Sequence, residues 1–177
     1  AATCTATGRT DGKKCSVCKI TLQAQQSIPV LSHSWQATDD VFVEQCGACG
    51  ITRTNTFSGT CGTGVTWMLT ADGTLTISGR GSMNYYADAQ SVPWAAYADA
   101  IVSVAVEEGI VDLDSNAFAC CTALKTLTLP NSVDGGNMYA FTKCTLLETV
   151  TVDNHKDAFI FDTTRFPADM QVIFLKR

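Results

Sequence analysis

Charge is scarce in this chain. Lys, Arg, Asp and Glu together make up 16% of its 177 residues, against about a quarter in an ordinary soluble domain. What charge there is leans acidic, with a formal net charge of −5, so there is no basic footprint for a nucleic acid. No apolar run approaches the ~20 residues that a membrane-spanning helix needs. No charged segment followed by an apolar stretch opens the chain, so any signal peptide is expected to have been removed or to lie outside this sequence, which reads as a piece of something longer.

The catalytic vocabulary is also thin. There are only two histidines, and no nucleophile sits in a G-x-S-x-G setting. His155 stands beside Asp153 and Asp157 without such a partner. Glu107 and Glu108 are neighbours on a strand exit, where adjacent side chains point to opposite faces, so they are poor partners for acid–base work. Asp112 and Asp114 lack the spaced oxygen ligands of a calcium loop. No glycine-rich phosphate loop follows a strand and opens a helix. No enzyme activity is expected.

What the chain does have is a repeat. Val104, Leu127, Val150 and Ile173 are spaced by 23 residues, and so are Val106, Leu129, Val152 and Leu175. Ile101, Leu124, Leu147 and Met170 keep the same step. Ala117–Phe118 recurs as Ala140–Phe141, and Cys121 as Cys144. A period in the range of 20–50 residues signals stacked units. Each unit carries a triplet with apolar outer members, as a strand with one buried face should. One such strand cannot hide its apolar side alone, whereas four stacked rungs share a core. The middle residues and those before the triplets then form an outer ladder of Ser103/Ala105, Thr126/Thr128, Thr149/Thr151 and Val172/Phe174. Thr126, Thr128, Thr149 and Thr151 are the candidate ligand-facing surface, since stacked repeats use such faces to bind a protein or glycan, although threonine is also simply a good exposed β residue. Phe174 is the apolar exception, and on an open last strand it points to a partner chain, including self-association through that edge, or to a covering segment outside this sequence. Cys120, Cys121 and Cys144 are expected to be packed thiols.

Ala117-Phe118-Ala119-Cys120-Cys121-Thr122-Ala123-Leu124 through Leu127-Thr128-Leu129-Pro130-Asn131-Ser132-Val133 resembles one unit of the BspA-type leucine-rich repeat. Ala140-Phe141 through Val152 resembles a second, with Asp153 in place of the proline. The last unit departs from the pattern, with Thr163–Thr164 where Ala–Phe should be. The resemblance implies a mainly β fold, a short leucine-rich-repeat solenoid over 101–177. Residues 56–100 resemble the capping segment that precedes such repeats. There Trp67/Leu69 and Leu75/Ile77 flank an Asp72–Gly73 turn in a hairpin, and Ser91–Asp99 reads as a short helix with Pro93 near its start. Trp67, Tyr85, Tyr86, Trp94 and Tyr97 are either core of this cap or a sugar-stacking platform.

Residues 1–55 form a third region. Cys15-Ser16-Val17-Cys18-Lys19-Ile20-Thr21 and Cys46-Gly47-Ala48-Cys49-Gly50-Ile51-Thr52 are near copies. Two thiolates at i and i+3 grip one face of a metal ion, and two such turns complete a tetrahedron. Cys15, Cys18, Cys46 and Cys49 are thus one candidate zinc set. Cys4, Cys15, Cys18 and His33 are a second. Disulfides and free thiols stay open as well, because the cysteine count of nine is odd. The segment also resembles small cysteine-rich repeats, strung in tandem in surface proteins of gut bacteria, which implies β-hairpin modules. No cofactor is required by this reading, and a structural Zn2+ is the one the knuckles admit. The resemblances together imply an extracellular or cell-surface binding and adhesion role toward a host or neighbouring-cell protein or glycan. A stalk-like spacer and a zinc-stabilised interaction module are the alternatives.

Overall fold

The computed structural model describes residues 1–133, 138–141, 143–155 and 167–176. The chain divides into two compact units, Ala1–Thr54 and Asn55–Arg177. Thr163, Thr164 and Asp157, named above, lie outside the described residues.

The N-terminal unit is built from short antiparallel pairs. β1 (Gly8–Arg9) pairs with β4 (Ser27–Ile28), and β2 (Lys13–Lys14) with β3 (Thr21–Gln23). β5 (Trp35–Ala37), β6 (Val43–Cys46) and β7 (Thr52–Thr54) form a three-stranded sheet. The two C-x-x-C knuckles are the same turn. Cys15 N–H donates to Ile20 O and Lys19 N–H to Cys15 O; Cys46 N–H donates to Ile51 O and Gly50 N–H to Cys46 O. The residue after each second cysteine has positive φ, +62° at Lys19 and +75° at Gly50. That conformation is free for glycine and disfavoured for lysine, and Lys19 Nζ is tied back to Ser16 O at 2.8 Å. Only Gly8, Phe42 and Cys46 are buried in this unit.

The second unit is a seven-stranded sheet. Its antiparallel part is β8 (Phe57–Gly62), β9 (Val65–Leu69) and β10 (Thr74–Gly79). The expected turn at Asp72–Gly73 is present, with Gly73 at φ +78°. Asp72 carboxylate oxygens accept from Thr70 Oγ1, Thr74 N–H and Thr74 Oγ1, which holds that carboxyl below its usual range. Gly59 of β8 faces Trp67, and a Cβ there would lie 2.8 Å from the indole Nε1. β12 (Ser103–Val106), β14 (Thr126–Leu129), β15 (Thr149–His155) and β16 (Gln171–Lys176) then add in parallel. A short parallel pair of β11 (Gly81–Ser82) and β13 (Ile110–Asp112) lies outside this sheet.

The 23-residue step is a physical rung. Val104 pairs with Leu127, and Leu127 with Val150. All three are buried, as are Ile101, Leu124 and Leu147 behind them. Burying each aliphatic side chain contributes about 1.5–3 kcal/mol. The turns repeat too: Cys121 N–H donates to Phe118 O and Leu124 N–H to Cys121 O, then Cys144 N–H to Phe141 O and Leu147 N–H to Cys144 O. Phe118 stacks on Phe141 with ring centroids 4.7 Å apart. Cys121 and Cys144 are buried thiols between the rungs, with Cys144 Sγ donating to Phe118 O.

The expected short helix is a 3-10 helix over Ala95–Ala100 with no side-chain cap. Ser91 Oγ donates instead to Asp88 Oδ1, closing the turn before it. This stretch also supplies a full turn of the repeat. Trp94 stacks on Phe118 at 5.7 Å, and Ile101 N–H donates to Ala98 O as Leu124 does to Cys121 one rung on. Trp94 therefore starts an aromatic column that continues through Phe118 to Phe141. The aromatic side chains are mostly core rather than a sugar platform. Trp67, Tyr86 and Trp94 are buried, with Trp94 Nε1 donating to Ala117 O and Tyr86 OH to Cys61 O. Tyr97 stacks on Phe57 at 4.1 Å, and Tyr85 alone of the five is open, at 81% exposure.

The last rung departs from the expected register. Val172 pairs with Val150, Ile173 with Thr151 and Phe174 with Val152, a step of 22 rather than 23. A one-residue shift exchanges the two faces of a strand. Val172 and Phe174 accordingly turn inward and are half-buried, while Ile173 and Leu175 are 44% and 60% exposed. The expectation that Ile173 and Leu175 line the core, with Phe174 outside, is corrected by this pairing.

Candidate functional site

Two features carry functional chemistry, one in each unit. In the N-terminal unit, Cys4, His33, Cys46 and Cys49 converge, with one ligand atom from each lying within 4.8 Å of all the others. The local folding explains the meeting. β5 and β6 pair Trp35 with Cys46, and His33, two residues before β5, packs its ring against Trp35. Gly47 N–H donates to Ser34 O at 3.1 Å, closing the loop onto the knuckle. Leu31 N–H donates to Thr3 O, which brings the N-terminal turn alongside. Cys4 Sγ then lies 3.9 Å from Cys46 Sγ, and Cys49 Sγ 3.4 Å from His33 Nδ1. All four residues are buried or half-buried.

The ring of His33 is held from behind. It packs on Trp35 with centroids 5.0 Å apart. Arg53 lies over the other part of that system, its guanidinium carbon 4.6 Å from the Trp35 ring, and is itself paired with Glu44 at 2.6 Å. The thiols differ in acidity. A hydrogen bond from His33, with Ala48 and Cys49 backbone N–H groups adding to it, brings Cys46 down to about 5. Hydrogen bonding to Cys49, then burial and the neighbouring Cys46, push Cys4 up to about 11. Three thiols and an imidazole make a soft, nitrogen–sulfur donor set, unsuited to calcium or magnesium and suited to zinc.

This group takes half of each set expected from spacing. Cys46 and Cys49 come from the tetrathiolate, and Cys4 and His33 from the alternative. Cys15 and Cys18 lie outside it, so neither set of four is assembled as spacing suggested. Cys15 nevertheless has its acidity raised, its pKa lowered chiefly by the Cys18 backbone N–H.

The second feature is the outer face of the long sheet. Ser103, Thr126 and Thr149 form one row, and Ala105, Thr128 and Thr151 the next. Thr126 Oγ1 donates to Ser103 Oγ at 2.9 Å. Spacing alone confined this ladder to four strands, but the second row runs across seven: Ser58, Met68, Thr76, Ala105, Thr128, Thr151 and Ile173. The alternation Thr74-Leu75-Thr76-Ile77-Ser78 was the signal that could have revealed it, because Leu75 and Ile77 are fully buried between those polar residues. The face is small, hydroxyl-rich and nearly uncharged, with Lys125 and Glu148 as a loose exposed pair at 3.9 Å before its strands. Among the described residues no helix is long and apolar enough to cross a membrane.

Comparison with known proteins agrees with this architecture. No curated protein matches the chain. A solved leucine-rich repeat protein from Eubacterium ventriosum is similar in fold, with 23% identity and a TM-score of 0.51. The likeness covers 67% of this chain but 40% of that one, so the chain spans well under half of that protein's length. The family model described as BspA type leucine rich repeat region (6 copies) matches residues 87–163 and does not extend into the cysteine-rich unit. The start of that match, upstream of Trp94, agrees with the repeat turn that begins the aromatic column. Over residues 87–163, then, the chain is similar to the BspA type leucine rich repeat region, and its fold is that of a leucine-rich repeat protein.

Proposed function

We propose that this chain is a non-catalytic binding and adhesion module of a bacterial cell-surface or secreted protein. Its partner is a protein or glycan on a host or neighbouring cell. The observation that carries the reading is the continuous seven-strand outer row, in which hydroxyl side chains at Thr76, Thr128 and Thr151 stand in register on a rigid sheet. Stacked repeats commonly use such extended faces for binding. Met68 and Ile173, exposed near the two ends of the row, add apolar contacts to a polar centre. β16 is the end strand of the sheet among the described residues, and with Ile173 and Leu175 exposed it supports self-association as a second mode. In the N-terminal unit, the Cys/His group favours a structural metal and not a reactive one.

The test is binding of the isolated chain to glycan arrays and extracellular matrix proteins. Binding that is lost in the pair Thr128→Lys and Thr151→Lys, with the melting temperature unchanged, supports the assignment. Binding that survives both substitutions overturns it. Absence of binding to every partner favours the spacer reading, in which the stacked sheet simply holds other domains away from the cell.

A further inference from the structure

We propose that the N-terminal unit holds one structural zinc ion through Cys4 Sγ, His33 Nδ1, Cys46 Sγ and Cys49 Sγ, and that Cys15 and Cys18 take no part. The inference rests on the N-terminal unit alone and is independent of any partner of the repeats.

The geometry is the first argument. Zn–S bonds of about 2.3 Å and Zn–N bonds of about 2.0–2.1 Å in a tetrahedron set the ligand separations at about 3.8 Å for two sulfurs and about 3.5 Å for sulfur and nitrogen. Cys4 and Cys46 sulfurs are 3.9 Å apart, and Cys49 Sγ and His33 Nδ1 are 3.4 Å apart. Two opposite edges of the group thus match a zinc-sized tetrahedron, and all four donor atoms lie within 4.8 Å of one another. A disulfide would need its sulfurs at about 2.05 Å, well inside the Cys4–Cys46 separation.

The donor set is the second argument. Four protein ligands close the coordination sphere, which is the mark of a structural site, while catalytic zinc keeps a position for water. The ring of His33 also has a packed neighbour, Trp35, which Arg53 covers in turn while paired with Glu44, and this packing restricts the ring with Nδ1 beside Cys49 Sγ.

The third argument is independent of the cluster. A unit with only Gly8, Phe42 and Cys46 buried has too little apolar core to fold on burial alone. Val17, Ile20, Leu22, Val30, Leu31 and Ile51 are all exposed. Four ligands drawn from residues 4, 33, 46 and 49 cross-link nearly the whole unit. Metal binding then supplies the missing folding free energy, as in other small modules. The Cys15–Cys18 knuckle has the same turn, but no third or fourth donor joins it among the described residues.

The experiment uses the full chain. It is purified under reducing conditions, and its zinc content and free thiols are measured for the parent, Cys4→Ser, Cys49→Ser, His33→Cys and the double variant Cys15→Ser/Cys18→Ser. One zinc per chain is expected in the parent, in His33→Cys and in the Cys15/Cys18 double variant, with a drop of at least tenfold in affinity for Cys4→Ser and Cys49→Ser. Cobalt substitution should give the visible bands of a tetrahedral thiolate site. Zinc that follows Cys15 and Cys18 instead, a chain that stays metal-free with all thiols reduced after reconstitution, or a Cys4–Cys46 disulfide in the reduced preparation would each overturn the assignment. His33→Cys guards against simple misfolding, because it replaces one ligand by another and should retain the metal.

Discussion

Replacing Phe118 by alanine removes the middle ring of the aromatic column. Phe118 is fully buried, with Trp94 stacked on one side at 5.7 Å and Phe141 on the other at 4.7 Å. Truncating a buried phenylalanine costs about 3–5 kcal/mol, because transfer and cavity terms add. Each aromatic stack contributes about 0.5–1.5 kcal/mol beyond area burial, and two are lost together. The expected loss is therefore about 5 kcal/mol. A unit of roughly 120 residues has about 6–18 kcal/mol in all, so the repeats should become marginal. Phe118→Leu keeps most of the volume and both neighbours, and should cost less than half as much. Tyr85→Ala, at an open aromatic, should stay within about 0.5 kcal/mol of the parent. Urea unfolding at 25 °C, followed by near-ultraviolet circular dichroism, reads the difference. With a slope of about 1–3 kcal/mol per molar, the midpoint for Phe118→Ala should fall by about 2 M or more. A loss under about 1 kcal/mol, or a leucine variant as unstable as the alanine one, would refute the column as a main source of stability.

Leu127→Asp should unfold the repeats, since its side chain is buried between the aliphatic Val104 and Val150, where a carboxylate loses its water; a thermal melt matching the parent would sink that expectation. At the last rung, Phe174→Asp should cost about 2 kcal/mol or more, and Ile173→Asp less than about 1, because the shorter step turns Phe174 inward and Ile173 to water. The opposite order in a denaturation series would restore the 23-residue register.

The interior of the repeats was legible in the sequence because aliphatic residues recur at one step with a single buried face. Val104, Leu127 and Val150 could pair in only one way without exposing a column of aliphatics. The same logic failed at the end of the chain. Val172, Ile173, Phe174 and Leu175 are all apolar, so hydrophobicity does not choose which two face inward, and pairing with β15 decides it. The metal-type group was half legible. A C-x-x-C spacing marks a pair of donors, but which distant residues complete it depends on β5 pairing with β6, and on Leu31 bonding to Thr3. Neither contact leaves a spacing signature. Trp94 stacks on Phe118 as a repeat ring does, but it is a tryptophan at a step one residue longer than the period, so spacing alone does not group it with the repeats.

The strands of the long sheet lie side by side in the order of the chain, from β8 to β16, with β11 and β13 set apart. Parallel neighbours such as Ser103 and Thr126 are only 23 residues apart along the backbone. A nascent polypeptide leaving the ribosome can therefore lay down each rung on a template already finished, without waiting for distant segments. Synthesis proceeds at about 5–20 residues per second, so a new rung becomes available every few seconds at most. The hairpin that precedes the coil acts in this sense as a starter, and a lesion in it should block assembly of everything translated after it.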